Sequence, residues 1–187
     1  ANRFGQLSPT SYKHVAKQKM KIDYLIAGDD VDNLVGIEST VAMVENNRCT
    51  VLRPGIITVE DIAKALPGIE VELAQHNNKI SSPGLLNSHY SPLKPLFFVD
   101  KTMKELPENS GIILHDKKQD KLNAVKVIYS SENGNLLEIA AHLFTSLHTM
   151  EDDDKVQRIY IEPVAEKGIG ISIMDRLKKA TFQYNQL

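Results

Sequence analysis

Hydrophobic positions fall along the chain in two regimes, separated by a stretch of different character. In the first, short apolar runs alternate with polar turns. "IDYLI" at 22–26 is a short strand candidate closed by the turn-prone "GDDVDN". "IESTVAMV" (37–44) and "CTVLR" (49–53) are β-branched runs parted by "ENNR", which predicts a hairpin. "IEVELA" (69–74) alternates apolar and polar side chains, as a half-buried strand does. In the second regime "LFFV" (96–99), "GIILH" (111–115), "VKVIY" (125–129) and "RIYIE" (158–162) are nearly continuous apolar runs, expected of strands covered on both faces. Between the last two, Leu136, Ala140, Leu143 and Leu147 recur at helical spacing, with Leu137 and Phe144 widening the stripe. "GISIMDRLKKAT" places Ile173, Leu177 and Ala180 on one face of a final helix. Strands alternating with helices predict a small open α/β sheet.

Local signals refine this outline. In "LSPTSYKHVAKQKM", Ser8 is placed to cap a helix and Pro9 to occupy its first position. "TVEDIAKAL" (58–66) predicts a short helix with Thr58 as cap, Asp61 completing a capping box, and Pro67-Gly68 as the stop. Residues 75–95, "QHNNKISSPGLLNSHYSPLKP", are rich in proline and asparagine and read as a linker, yet they hold too much Leu, His and Tyr for a solvated tether. The chain thus divides into 1–74, a linker at 75–95, and 96–187.

Composition narrows the function classes. The chain has 187 residues, 42% of them hydrophobic, which supports a packed core. Lys plus Arg number 22 against 24 Asp plus Glu, a balance that argues against a protein devoted to coating nucleic acid. The basic "YKHVAKQKMK" at 12–21 reads as a solvated helix face. One cysteine, Cys49, excludes an internal disulfide, lacks zinc-ligand spacing and fits a reducing compartment. No apolar run approaches the ~20 residues that span a bilayer. "ANRFGQLSPT" has no signal-peptide pattern and no initiator methionine, so the chain is expected to be processed, truncated or a piece of something longer.

Several motifs carry little chemistry by themselves. "GIGIS" at 168–172 lacks the third glycine of a dinucleotide fingerprint and reads as a flexible helix start. "EDDD" at 151–154 reads as a solvated acidic loop, since metal sites draw ligands from separated segments. The six histidines include no helical His-x-x-x-His pair, and neither a nucleophile elbow nor a Walker loop is present. "RPG" at 53–55 puts an arginine where a strand turns, a place from which a guanidinium fork can meet phosphate. Taken alone, Arg53 reads better as a surface ion-pairing residue. In "EST" at 38–40, strand alternation would send Ser39 and Thr40 to opposite faces, one toward a ligand and the other to packing or solvent. From spacing alone, the preferred reading is β-favouring residues with no chemical task.

The order of the pieces is more specific than any one of them. "ANRFGQLSPT", "GIESTV", "LRPGIIT", "SPGLLNSHYSP" and "GIGISIMDRLKKA" succeed one another nearly end to end. Together they resemble the two-domain form of the YrdC-like family, the L-threonylcarbamoyladenylate synthases. The resemblance implies that residues 1–74 are the closing part of a twisted α/β catalytic domain. It also implies that 75–95 is a linker lying over the active site, and that 96–187 is a small Rossmann-like domain. It implies ATP, L-threonine and bicarbonate as substrates, magnesium with the ATP, and a role in modifying tRNA in the cytoplasm.

By the same resemblance, Asn2, Thr10, Arg53, His89 and Tyr90 would meet ATP, while Ser39 and Thr40 would lie near threonine, Ser39 the stronger choice. No catalytic group and no metal ligand is assigned. The chain starts inside the family's Ser-x-Asn motif. The motif's serine and the N-terminal catalytic half, with its Lys-x-Arg motif, are therefore expected outside it. The chain by itself is expected to be inactive, and that half is its first partner. The transferase complex that delivers the threonylcarbamoyl group to tRNA is a second, no membrane partner is implied, and direct tRNA binding is left open. The alternative is a non-enzymatic nucleotide-binding or regulatory module.

Overall fold

The computed structural model describes residue 3 and residues 5–27, 36–74, 89–100 and 102–185. Two sheets organise them. The first has three strands in the order β1-β2-β3, formed by Val41–Glu45, Arg48–Arg53 and Glu70–Leu73. β1 and β2 are the expected antiparallel hairpin. Its turn residues Asn46 and Asn47 have φ of 47° and 59°, the left-handed pair whose twist matches that of the flanking strands. A helix at Val59–Ala65, here α2, carries the chain to β3, which lies parallel to β2. Thr58 and Asp61 cap α2 reciprocally, as expected from their spacing.

The second sheet holds β4 (Leu96–Phe98), β5 (Ser110–Leu114), β6 (Lys126–Tyr129) and β7 (Arg158–Ile161) in the order β4-β7-β5-β6, all parallel. Parallel neighbours need long crossovers. The crossover from β6 to β7 is α3 (Leu136–Glu151), and α4 (Ile169–Thr181) comes after β7. β5 is buried along its whole length. Its Ile113 joins Ile139, Leu143 and Leu147 of α3 and Ile173 and Leu177 of α4 in one core, while Ile112 and Leu114 join Leu106 and Tyr160 in another. Each fully buried Leu or Ile contributes about 1.5–3 kcal/mol over an exposed one.

The larger core reaches beyond the second sheet. Leu7, Ile37 and Tyr90 belong to it, so the first segment packs against α3 and α4. Gly36 marks the tightest approach. Its φ is +56°, and a Cβ there would lie 2.1 Å from the Ala140 carbonyl oxygen. Only glycine lets the backbone sit this close in that conformation.

Four local expectations change. The first helix, α1, runs Tyr12–Lys17 and is capped by Ser11, not Ser8. The Ser8 hydroxyl instead donates to Glu38 at 2.8 Å, a tertiary partner that outcompetes the local one. "IDYLI" forms no strand, and Tyr24 and Ile26 are each 90% exposed. A strand needs an edge to pair with, and none lies beside this run among the described residues. The strand read into 37–44 begins only at Val41, with a register shift between Val41 and Ala42. "EDDD" is only partly the expected solvated loop: Glu151 ends α3, while Asp152 and Asp154 are exposed beyond the helix, Asp152 pairing with Lys17 at 2.5 Å and Asp153 with Lys126 at 2.8 Å. Most of the linker, including 75–88, lies outside the described residues.

Candidate active site

The site is built where α4 grips the first segment. β2 ends at Arg53, and the chain turns through Pro54 and Gly55 against the irregular run 37–40. A Cβ on Gly55 would lie 2.3 Å from the Thr40 nitrogen and 2.6 Å from the Ser39 carbonyl carbon, so the missing side chain is what allows this approach. Arg53 then closes on Ser39 with two prongs. Its Nε donates to the Ser39 carbonyl at 3.1 Å and its Nη2 to the Ser39 hydroxyl at 3.3 Å. Its Nη1 has no hydrogen-bond partner among the described residues. Thr40 turns elsewhere and donates its hydroxyl to the Ile57 carbonyl at 2.7 Å. The two adjacent hydroxyls thus have different tasks, although the backbone here is not a strand.

Behind Ser39, Glu38 is held from two sides. Ser8 donates to Oε1, and Arg176 of α4 donates from Nε to Oε2 at 3.1 Å. The same guanidinium donates through Nη1 to the Pro54 carbonyl, and Ser172, one turn earlier, donates to the Gly55 carbonyl at 2.7 Å. Ser172 and Arg176 together fasten both "EST" and "RPG" to the second sheet's last helix. Burial pushes the Glu38 carboxyl up, but the Arg176 charge and the hydrogen bonds from Ser8 and from its own backbone outweigh it and bring the group below its usual range.

Residues 89–91 lie on this assembly. Tyr90 is 2% exposed, with its ring centroid 5.8 Å from the Arg176 guanidinium carbon and 5.5 Å from the Phe144 ring. Burial pushes its hydroxyl up to about 12. Its φ of 62° is unusual for a bulky residue and is sustained only where the surroundings over-determine it. His89 meets Tyr90 edge-on at 4.1 Å and donates its backbone N–H to the Lys179 carbonyl at 3.4 Å. Burial lowers the His89 ring, and Lys179, Arg176 and Arg53 lower it further against Glu38. Ser91 anchors the chain just beyond Tyr90, from its hydroxyl to the Ala180 carbonyl at 3.1 Å and from its N–H to the Gly5 carbonyl at 2.9 Å.

Of the residues singled out from sequence, Ser39, Arg53, His89 and Tyr90 share one electrostatic neighbourhood around Glu38 and Arg176. Thr10 is on the other side of Glu38, where both line a cavity of about 240 Å³ with Gly36 and Phe144. Asn2 lies outside the described residues. Sequence reasoning missed Arg176, 1% exposed, because the final helix was read only for its apolar face. Lys179 is likewise buried and pairs with Asp175 at 2.6 Å. The signal was available: Arg176 lies three positions after Ile173, four after Ser172, and just before Leu177, so it borders the apolar stripe.

An open parallel sheet whose last helix grips an arginine-bearing turn of a second sheet defines an α/β protein with an arginine-lined seam between two units. The family model for the C-terminal domain of threonylcarbamoyl-AMP synthase matches residues 57–181, and the chain belongs to that family. It is 32% identical over 194 residues to the threonylcarbamoyl-AMP synthase of Bacillus subtilis (strain 168), covering 96% of this chain and 55% of that protein. The threonylcarbamoyl-AMP synthase of Pyrococcus abyssi (strain GE5 / Orsay) is also 32% identical, over 198 residues, with 97% of this chain and 56% of that protein covered. The crystal structure of P. abyssi Sua5 complexed with L-threonine superposes with a TM-score of 0.77 at 31% identity, covering 96% of this chain and 56% of that one. The chain therefore spans about half the length of the curated relatives it matches.

Proposed function

We propose that this chain is the C-terminal part of an enzyme that forms threonylcarbamoyl-AMP and pyrophosphate from L-threonine, bicarbonate and ATP, for threonylcarbamoyl-adenosine modification of tRNA in the cytoplasm. The observation that carries the reading is the Arg53 fork on Ser39, beside a Glu38 carboxylate neutralised by Arg176. The threonine amine bonds to the bicarbonate carbon as water leaves, and the resulting carbamate oxygen bonds to the α-phosphorus as the bond to the β-phosphate oxygen breaks and pyrophosphate leaves. These reactants carry like charge, so the site must hold them together and offset the phosphate oxygens.

In this reading Arg53, with Nη1 available, meets phosphate, and the Ser39 hydroxyl that Arg53 orients faces threonine. Thr40 is the weaker threonine contact because its hydroxyl is engaged with Ile57. Asn2, Thr10, His89 and Tyr90 complete the nucleotide side. Magnesium carried with ATP would offset the charge of the phosphate oxygens that Arg53 also meets. Among the described residues no group of three His, Cys, Asp or Glu side chains is placed to hold a metal ion. The remaining catalytic half comes from the part of the relatives' length that this chain does not span. Delivery of the product to tRNA falls to a separate transferase complex. No helix among the described residues is long and apolar enough to cross a membrane.

The test is pyrophosphate release by the full-length parent. Release that requires both threonine and bicarbonate supports the proposal, and threonine-independent release sinks it. Calorimetry of the 187-residue chain with ATP separates the alternative: tight binding without any N-terminal half would indicate a free-standing nucleotide module.

A further inference from the structure

We propose that His14 positions the candidate nucleotide site, holding the Thr10 turn through its Nδ1 acceptor while its ring is clamped against His148. The inference rests on the reading of Thr10 as a nucleotide contact. The Thr10 backbone N–H lies 3.2 Å from His14 Nδ1, and the Thr10 hydroxyl oxygen lies 3.1 Å from the same nitrogen. A backbone N–H can only donate, so Nδ1 presents its lone pair and the ring hydrogen sits on Nε2. The Thr10 hydroxyl also accepts from Thr145 of α3 at 3.0 Å. Thr10 is therefore held from α1 through His14 and from α3 through Thr145.

The ring that does this is not left to rotate. His14 and His148 stack with centroids 3.8 Å apart and planes 18° from parallel. His148, only 8% exposed, has Nε2 3.0 Å from the Ser8 carbonyl oxygen. A carbonyl can only accept, so that nitrogen carries the hydrogen and the ring is fixed to the segment leading to Thr10. The histidine pair thus joins α1, α3 and residues 8–10 at one point.

Positioning through a lone pair requires a neutral ring. Burial, the neighbouring His148 and Lys17 lower His14 to about 4, against the opposing pull of Asp152. The other charged groups facing the pair are Glu151 at the end of α3 and Arg3 and Lys19 around the adjoining cavity of about 440 Å³. Protonating Nδ1 would turn Thr10's acceptor into a second donor and push the turn away.

Two variants separate acceptor from stack: His14→Asn keeps an acceptor near the Nδ1 position, and His14→Phe keeps the stack alone. In NMR spectra of the 187-residue chain, His14 is expected to stay neutral, with its hydrogen on Nε2, between pH 8 and 5.5. The Thr10 amide should exchange about tenfold faster in His14→Phe and regain protection in His14→Asn. In the full-length parent, His14→Phe should raise KM for ATP about three- to tenfold, the size of one neutral hydrogen bond, by more than it lowers kcat. His14→Asn should restore it. Thr10 protection unaltered by His14→Phe, no rescue by His14→Asn, or a His14 ring titrating near 6.5 overturns the positioning role, whatever the parent catalyses. A Thr10 response in a parent that consumes no ATP leaves the coupling standing and sinks the nucleotide assignment instead. An active parent whose KM for ATP ignores both variants overturns the proposal.

Discussion

Arg176 and Glu38 form an ion pair across the seam of the two sheets, Nε to Oε2 at 3.1 Å, with the arginine side chain 1% exposed and the glutamate 27%. They are 138 residues apart in sequence, yet the pair sits directly behind Ser39. Arg176→Ala would strand a half-buried carboxylate and take a donor from the Pro54 carbonyl. Breaking one partner of such a pair costs about 3–5 kcal/mol, which urea denaturation of the chain would read as a lower midpoint. Arg176→Lys should recover only part, because a compact ammonium lacks the planar fork that reaches carboxylate and carbonyl together.

The same pair makes the seam sensitive to acid. Glu38 is lowered in the folded chain relative to the unfolded one, whose value is near 4.5. Its stabilisation is therefore complete above that value and declines as pH falls through the folded one. Unfolding free energy measured between pH 7 and 3.5 should fall less steeply in Glu38→Gln than in the unaltered chain, and identical slopes would remove Glu38 from the account.

Gly55→Ala should displace the "EST" run rather than simply strain a turn. A methyl group there meets three backbone atoms of residues 38–40, including the Glu38 carbonyl oxygen at 2.7 Å, and backbone cannot move aside as a flexible side chain would. A stability loss of about 1–3 kcal/mol is expected from overpacking. Shifted Ser39 and Thr40 amide resonances should accompany it. A variant with native stability and unshifted resonances would contradict the close approach.

Arg53→Ala in the full-length parent removes both the fork on Ser39 and the charge assigned to phosphate. Loss of a charged hydrogen bond is typically worth about 1.5–3 kcal/mol. Steady-state kinetics should therefore show kcat/KM for ATP reduced by roughly ten- to a hundredfold. Undiminished ATP use would return Arg53 to the surface ion-pairing residues.

Tyr90 tests whether the linker's end packs, acts, or does both. It belongs to the shared core, so Tyr90→Ala should cost about 3–5 kcal/mol through the cavity it leaves. Tyr90→Phe preserves that volume and deletes the hydroxyl. Retained stability with reduced turnover in the parent would assign the hydroxyl to the site, whereas unaltered turnover would make Tyr90 a packing residue.

The chain's local order was legible because short-range physics decides it. The β-branched runs, the Asn46-Asn47 turn, the Thr58 capping box and the α3 and α4 stripes each depend on neighbours within a few residues. Motif order also pointed to Ser39, Arg53, His89 and Tyr90. Tertiary structure decided the rest, through partners the local sequence does not contain. Ser8 gives up its capping role because Glu38 takes its hydroxyl, and "IDYLI" stays irregular because no strand edge lies beside it among the described residues. Arg176 and Lys179 look like a solvated helix end until α4 is seen facing the "RPG" turn. A buried guanidinium is stable only where carboxylate and carbonyl oxygens converge on it. That convergence joins residues more than a hundred positions apart, so only the folded chain could reveal it.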